Sequence, residues 1–272
     1  MQLTQEELRK AQLLMLKILK EVHRICEENN IKYFLSDGTL IGAVRHNGFI
    51  PWDDDLDIGM LRDEYDKFCA IAPDKLGEEF VFQTTDTDPG YGLQFGKVML
   101  KGTVWVENGA IDTKRENLGI YIDIFPYDKI TSNKLQQKGL VLLYKLINGL
   151  ILYKKNYYFS KSKVNIKNCI KFVLSFFLSV KLLIKIRMLI CTHYKKISKI
   201  NLVTKYGGNF YNNQNFYESY NQIELCKFED SYFYIPKDFD IILTKLYGNY
   251  MKIPPKEKQQ NHGIINFDFG SY

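Results

Sequence analysis

Four acidic residues stand almost side by side early in the chain: Asp53, Asp54, Asp55 and Asp57. Residues two apart on a strand face the same side, so we expect Asp55 and Asp57 to project together. Leu56 and Ile58 would then turn toward the core. Adjacent like charges cost free energy unless a cation neutralises them, and Mg²⁺ binds through one or two carboxylates together with substrate phosphates. The apolar surroundings and the glycines upstream favour such a metal site over a solvated acidic loop.

A predicted turn between a strand and a helix precedes the aspartates. It contains Gly38-Thr39, at a place where backbone N–H groups and a helix N-terminus can face a phosphate. Gly38 alone would indicate only an ordinary turn. Arg45, in the helix that follows, suits two roles equally: it could pair with phosphate oxygens or with a carboxylate of the aspartate cluster.

A third carboxylate comes from a distant part of the chain. Asp123 stands within the apolar run Tyr121-Ile-Asp-Ile-Phe-Pro126. A charge inside such a run needs a partner, because burying it alone is expensive. We therefore expect Asp123 to complete the metal site, and an edge position facing water is the alternative.

A sheet is needed to bring these residues together. Strands are predicted from alternating or apolar runs at 31–35, 56–60, 80–84, 93–100, 103–107 and 119–125. Helices are predicted over 4–28, 40–46, 62–72 and 238–247. A capping box of Thr4 and Glu7 marks the start of the first helix, and Pro73 is expected to stop the third. Helices interleaved with strands predict an α+β fold, with a mixed β-sheet and packed helices.

Charge is distributed unevenly along the 272 residues. The net charge is +6, yet residues 129–217 hold 17 Lys or Arg and no Asp or Glu, so the remainder carries 20 basic and 31 acidic residues. We divide the chain accordingly into a catalytic core over 1–128, a basic helical insert over 129–217 and a C-terminal segment over 218–272 that completes the core.

The sequence also bears on the compartment. The five cysteines form no CxxC pair, so neither a zinc ribbon nor a redox motif is supported. They are widely spaced, and isolated cysteines suit a reducing cytoplasm. The first residues lack the basic and apolar regions of a signal peptide. The most apolar stretch, Phe172–Val180, has nine residues, whereas a membrane span needs roughly 20. We expect a cytoplasmic protein, soluble or peripheral at the inner face of the cytoplasmic membrane.

The segment Ser36–Met60 resembles the signature of the LicD phosphotransferases. The resemblance extends to Ile122-Asp-Ile-Phe-Pro126 and resumes in the tail at Ile235–Asp240, Tyr247–Met251, Pro254-Pro255 and His262. It implies a nucleotidyltransferase-like fold whose metal site has a Gly-Ser/Thr turn, a Dx[DE] pair and a later strand acid. Those positions are matched by Gly38-Thr39, by Asp55 with Asp57, and by Asp123. The tail departs from the pattern, because an arginine is expected near His262.

Members of this family transfer a phospho-alcohol, often phosphocholine, from a CDP-activated donor to a glycan hydroxyl. The resemblance thus implies that Asp55 and Asp57 hold one or two Mg²⁺ or Mn²⁺ ions across the donor diphosphate. Asp123 would complete the ligand set or accept the proton of the acceptor hydroxyl. CDP-choline is the first choice of donor, and CMP is the leaving group. The implied acceptor is a glycan or lipid-linked glycan, such as a lipopolysaccharide, teichoic acid or capsule precursor.

Substrate contacts are expected around the signature, from Ser36, Asp37, Gly38, Thr39, Arg45, Trp52 and Lys97. Lys97 would be a second phosphate contact, unless it is simply an exposed lysine. Trp52 could stack on a base or cation, or pack in the core. His46 and His262 could act as bases or bind phosphate, although isolated histidines more often pack or form structural hydrogen bonds.

The basic insert allows three interpretations. It could be a helical subdomain that buries its apolar stripe, or it could contact an anionic membrane surface through amphipathic helices such as 182–190. Nucleic-acid binding is disfavoured, because apolar runs dominate and no RNA-binding motif occurs. Two other functions fit the whole chain: a nucleotidyltransferase that moves NMP to a small molecule or sugar, and a non-catalytic membrane-docking protein of glycan assembly.

Overall fold

A computed structural model describes residues 3–107, 118–155, 157, 178–206, 214–259 and 261–272. Much of the predicted basic insert, including 158–177, lies outside the described residues. The described part is a mixed β-sheet with helices packed on it, as the sequence predicts.

The helices are α1 (Gln5–Glu28), α2 (Asp37–His46), α3 (Arg62–Lys75), α4 (Lys134–Lys154), α5 (Val180–Thr192), α6 (Tyr217–Asn221) and α7 (Phe239–Tyr247), with a 3-10 turn at Lys256–Lys258. The strands are β1 (Phe34–Leu35), β2 (Asp57–Leu61), β3 (Phe80–Gln83), β4 (Gly96–Leu100), β5 (Val104–Glu107), β6 (Tyr121–Ile130), β7 (Leu202–Lys205), β8 (Asn215–Phe216), β9 (Ile223–Phe228), β10 (Ser231–Pro236) and β11 (Ile264–Asp268).

The main sheet has the strand order β1-β2-β6-β4-β3, and β7 and β8 extend it from the far half of β6. Strands β2 and β6 run parallel, and the other neighbours are antiparallel. Separate two-stranded ladders join β9 to β10 and β5 to β11. The long strand β6 is therefore the centre of the sheet, with partners along both of its edges.

Helix α1 covers one face of this sheet. The predicted capping box is confirmed: the Glu7 backbone N–H donates to Thr4 Oγ1 at 3.2 Å, and the Thr4 N–H donates to Glu7 Oε2 at 2.8 Å. The apolar stripe of α1 is fully buried and joins Ile122 and Ile124 of β6 in the main core. Burial of this stripe fixes which face of β6 points inward and which is left for chemistry.

One helix and one strand extend past prolines and end later than the sequence predicts. Helix α3 continues through Pro73 to Lys75, because a proline near the end of a helix removes only one N–H donor from the last turns. Strand β6 continues through Pro126 to Ile130, since its far half gains a new partner in β7. The prediction also missed β11, which pairs with β5 across 156 or more intervening residues.

The predicted basic insert does not stand apart from the sheet. Helices α4 and α5 pack on each other through a second apolar cluster that also takes in Ile130, the last residue of β6. After α5 the chain returns to the main sheet as β7 and β8. In the described part of the chain, no helix is long and apolar enough to cross a membrane.

Candidate active site

Three charged side chains form a row across neighbouring strands. In the sheet register, Asp57 of β2 lies beside Asp123 of β6, and Asp123 lies opposite Lys97 of β4. Laterally aligned residues point to the same face, and Lys97 Nζ lies 2.6 Å from Asp123 Oδ1. Asp123 is therefore a half-buried residue at the centre of the sheet, and the alternative of an edge position facing water is wrong. Lys97, likewise, is an ion-paired and largely buried lysine.

Asp55 lies next to this row, but in a loop and not in the strand that the sequence predicted. Strand β2 begins at Asp57, so Asp55 belongs to the segment before the strand. Leu56 and Ile58 are both buried, as predicted. The carboxylates of Asp55 and Asp53 interact with each other, and Asp55 also raises the pKa of Asp57. The acidic cluster thus combines the end of a loop with the start of a strand.

The turn between β1 and α2 is clamped to the beginning of β2. The Ser36 N–H donates to the Asp57 carbonyl at 3.0 Å, and the Asp57 N–H donates to Thr39 Oγ1 at 2.8 Å. The predicted strand-to-helix turn is confirmed, although α2 starts at Asp37 rather than at Leu40. Asp37 adopts a φ of 49°, a left-handed conformation that is uncommon outside glycine.

Two features of this turn suit the approach of a ligand. The Ser36 hydroxyl is buried, with the residue 3% exposed, and has no hydrogen-bond partner within the described residues. A buried hydroxyl without a partner costs free energy, which a bound oxygen would recover. At Gly38, a Cβ atom would lie 2.9 Å from Asp53 Oδ2. Glycine therefore lets the start of α2 lie directly against the acidic cluster.

The acidic cluster is short of compensating charge. Burial raises the pKa of Asp55 to about 8, with repulsion from Asp53 as the next cause, and burial raises the pKa of Asp53 to about 6. Burial and then the Asp55 charge raise the pKa of Asp57 well above its usual value. Burial also raises the pKa of Asp123, although Lys97 opposes that effect. Such a cluster favours any cation that can enter it.

Two cationic residues from distant segments lie beside this cluster. The sequence did not assign Lys205 to the site, and it left several roles open for His262. Lys205, from β7, places Nζ 2.5 Å from Asp37 Oδ2 and 3.9 Å from the centre of the Phe125 ring. Burial lowers the pKa of Lys205, but the Asp37 and Asp57 carboxylates outweigh that effect and the pKa is raised. No local motif marks Lys205 among the lysines of the basic region. Only the pairing of β7 with β6 brings it to the acidic face.

The second residue is His262, which joins the cluster from the tail. Its Nδ1 lies 3.0 Å from Asp54 Oδ1 and 3.6 Å from Asp55 Oδ2. The His262 backbone N–H also donates to the Asp54 carboxylate. The Asp54 hydrogen bond, reduced by partial burial and helped by the Asp55 charge, raises the pKa of His262 to about 10. His262 therefore holds the tail against the acidic loop through an ion pair.

Arg45 and Trp52 are placed differently from the other candidates. The Arg45 guanidinium donates to the Tyr250 carbonyl at 2.5 Å and to His46 at 2.9 Å, and neither of these contacts is with the acidic cluster. The Trp52 ring meets the His46 ring edge-on, with 6.4 Å between centroids, and packs against the main core. In this arrangement both residues connect α2 to its surroundings.

The donor set fits a divalent ion that arrives with a phosphorylated ligand. Among the described residues, no three Asp, Glu, His or Cys side chains converge closely enough to enclose an ion by themselves. Lys97 pairs with Asp123, whereas Asp53, Asp55 and Asp57 lie near one another and could accept an ion. Mg²⁺ characteristically uses one or two carboxylates and takes its other ligands from substrate phosphates and water.

Comparison with known proteins accounts for this arrangement. Residues 30–169 match the LicD/FKTN/FKRP nucleotidyltransferase domain. This range contains the Ser36–Thr39 turn and the candidate metal ligands Asp55, Asp57 and Asp123. The chain is 31% identical over 259 residues to the lipopolysaccharide cholinephosphotransferase LicD of Haemophilus influenzae, which covers 94% of this chain and 96% of that protein. It is also 38% identical over 121 residues to the Mus musculus ribitol 5-phosphate transferase FKRP, or 41% of this chain and 21% of that protein. The chain therefore belongs to the LicD family of phosphotransferases.

Proposed function

We propose that this enzyme transfers a phospho-alcohol, with phosphocholine as the first choice, from a CDP-activated donor to a glycan hydroxyl and releases CMP. The observation that carries the proposal is the acidic cluster clamped to the Ser36–Thr39 turn, which offers carboxylates for a metal and a helix N-terminus for a phosphate side by side. A CDP-alcohol presents both partners, since its diphosphate is anionic and binds Mg²⁺ or Mn²⁺.

Asp55 and Asp57 would hold the metal, and Asp123 would join them if Lys97 turned to the substrate. When bound, the ion would neutralise charge on the diphosphate and favour departure of CMP. Raised pKa values in Asp55 and Asp57 support this assignment, because a bound cation offsets both the burial and the mutual repulsion that raise them.

The residues of the turn would bind the donor phosphates. The buried Ser36 hydroxyl can donate to a phosphate oxygen, and the first N–H groups of α2 would add donors at the helix N-terminus. Lys205 can exchange its Asp37 partner for a phosphate, since both are anions within reach of one ammonium group. These contacts would orient the donor phosphorus toward the acceptor.

The chemical step needs only the donor and the acceptor hydroxyl as reactants. The acceptor hydroxyl oxygen forms a bond to the phosphorus that carries the alcohol, and the bond from that phosphorus to the bridging oxygen of CMP breaks. The hydroxyl proton passes to a carboxylate. Asp123 is the candidate, because the ion pair with Lys97 holds its carboxylate in the row beside Asp57. CMP leaves with the electron pair of the broken bond.

The choice of phosphocholine rests on similarity over nearly the whole chain to a lipopolysaccharide cholinephosphotransferase. That relative also favours a lipopolysaccharide acceptor over a teichoic acid or capsule precursor. Ribitol 5-phosphate is the second donor group to test, because the match to a ribitol 5-phosphate transferase covers only 41% of this chain. Nucleotidyl transfer to a sugar would use the same acids with a nucleoside triphosphate instead.

A thermal-shift screen with Mg²⁺ tests the donor directly. The panel is CDP-choline, CDP-ribitol, CDP-glycerol, CTP and ATP. We expect CDP-choline to stabilise the protein by about 2.7 kcal/mol at roughly 100 times its Kd, and Asp57→Asn to abolish that effect. Asp74→Asn, on the exposed side of α3, is the matched control. Stabilisation by CTP or ATP alone would contradict the proposal and favour nucleotidyl transfer.

A further inference from the structure

Helix α4 exposes a stripe of leucines on the side away from its core. Leu135 is 80% exposed, Leu142 72% and Leu146 43%. Positions seven and eleven residues apart share one face of a helix. The opposite face, including Val141 and Ile147, packs in the cluster shared with α5. The stripe is therefore a second apolar face that the described part of the chain leaves exposed.

Helix α5 repeats this pattern. Leu182 and Leu189 lie seven residues apart and are 44% and 68% exposed, whereas their neighbours Leu183 and Ile190 are buried in the shared cluster. Single exposed leucines are common on protein surfaces, but rows of them on two helices packed together mark an interaction surface.

The charged residues of these two helices all have one sign. Lys138 and Lys145 lie on the exposed side of α4, and Lys181 and Lys185 lie on that of α5. Between residues 129 and 217 the sequence contains no acid at all. The partner of this surface must therefore be apolar enough to receive leucines and anionic enough to receive lysines.

We infer that the exposed faces of α4 and α5 dock the enzyme on an anionic lipid bilayer. The leucines would enter the boundary between headgroups and acyl chains, and the lysines would contact anionic headgroups. A second copy of this chain is a poorer partner for the surface, because its own lysines would meet lysines. Charge complementarity therefore selects the bilayer, and this inference does not depend on the identity of the donor.

Sedimentation with vesicles tests the inference on the full chain. One set contains phosphatidylcholine with about one-third phosphatidylglycerol, a typical anionic mixture, and the other phosphatidylcholine alone. We expect binding to the anionic vesicles that weakens several-fold as salt rises from about 0.05 M to about 0.5 M. The double variant Leu142→Ser/Leu189→Ser should lower the partition coefficient at least about tenfold, because apolar burial is lost.

The lysines provide a second, independent variant. Lys138→Gln/Lys145→Gln/Lys185→Gln should reduce partitioning on the order of 100-fold, since each basic residue near such a surface contributes about fivefold. Two matched variants outside the surface should bind like the wild type. They are Leu225→Ser/Ile241→Ser, which removes equally exposed apolar residues, and Lys227→Gln/Lys237→Gln/Lys252→Gln, which removes as many exposed lysines.

Circular dichroism and the thermal midpoint establish that each variant is folded. The inference would be overturned if the protein did not bind anionic vesicles at low salt, or if the test and matched variants lost vesicle binding equally. It would also be overturned if the wild type were a dimer and the leucine variant a monomer. Loss of binding in the lysine variant but not in the leucine variant would overturn it too. That pattern would instead indicate a surface for polyanions in general, including nucleic acid.

Discussion

Charged residues are arranged in opposite ways at the start of β2 and on the helices α4 and α5. At β2, acids are buried beside one another and their pKa values rise. On α4 and α5, lysines spread over an exposed face between leucines. Crowded and buried charge stores free energy that a metal and a phosphate can release, whereas dispersed and solvated charge attracts a distant surface at little cost. Lys205 links the two regions, because it belongs to the basic stretch of the sequence and its ammonium group pairs with Asp37 beside the acidic cluster.

The largest effect should come from removing one acid of the row. Asp57→Asn is expected to lower the rate of CMP release by about 10³-fold, because several kcal/mol of metal-mediated stabilisation are lost. Steady-state assays with saturating donor measure this change. Asp74→Asn should retain the wild-type rate, and a similar rate for the two variants would mean that the crowded acids are not catalytic.

A buried ion pair outside the row tests how much burial of a paired charge contributes to the stability of the fold. Arg62 holds Asp128 through bonds of 2.6 and 2.8 Å, with both side chains almost fully buried. Asp128→Ala should destabilise the fold by about 3 kcal/mol, since it leaves the buried Arg62 guanidinium with only its 3.3 Å contact to the Asp66 carboxylate. Asp63→Ala, which breaks an exposed contact with Lys195, should cost less than about 1 kcal/mol. Denaturant melts compare the two, and equal losses would count against the assigned burial.

Lys205 tests the point where the two regions meet. Lys205→Met should lower kcat/KM for the CDP-alcohol about 10- to 100-fold, because one charge-assisted contact to phosphate is lost. Lys199→Met, an exposed residue of the same basic region, is the control. If the two variants behave alike, Lys205 serves only to neutralise Asp37.

The smallest effect concerns pH. The folded pKa of Asp55, about 8, exceeds its ordinary value of 3.8, so the metal-free protein holds an extra proton between these values and loses stability as pH rises through them. Mg²⁺ must displace that proton, so its affinity should rise up to about tenfold per pH unit below pH 8. Titration calorimetry at several pH values measures the slope. Asp55→Asn should flatten it, and a flat wild-type profile would contradict the pKa shift.

The sequence predicted the parts of the site that carry a recognisable local pattern. The Gly38-Thr39 turn, the aspartates before β2 and the strand around Asp123 are each marked by a local pattern of turn residues or apolar neighbours. Arg45 was left open between two roles, and the structure gives it a carbonyl partner instead. Side-chain direction in a helix depends on which distant segment packs there, and the sequence alone does not specify it.

Lys205 and His262 show what local pattern cannot reveal. Lys205 is an ordinary lysine in its own segment, and the tail pattern that includes His262 gives it no definite role. Each reaches the site through a contact between distant parts of the chain. The end of β6 has the same origin, since the pairing of β6 with β7 extends the strand beyond the point where its local signal ends. Long-range pairing overrides local propensity in these places.

Phosphorus NMR of the complete reaction tests the central claim most directly. The enzyme is incubated with Mg²⁺, CDP-choline and a lipopolysaccharide acceptor that lacks phosphocholine. We predict that the diphosphate signals of CDP-choline disappear while CMP and a phosphodiester on the glycan appear together, and that Asp57→Asn leaves the donor intact. Unchanged CDP-choline beside a wild-type enzyme that consumes CTP and releases pyrophosphate would contradict the account.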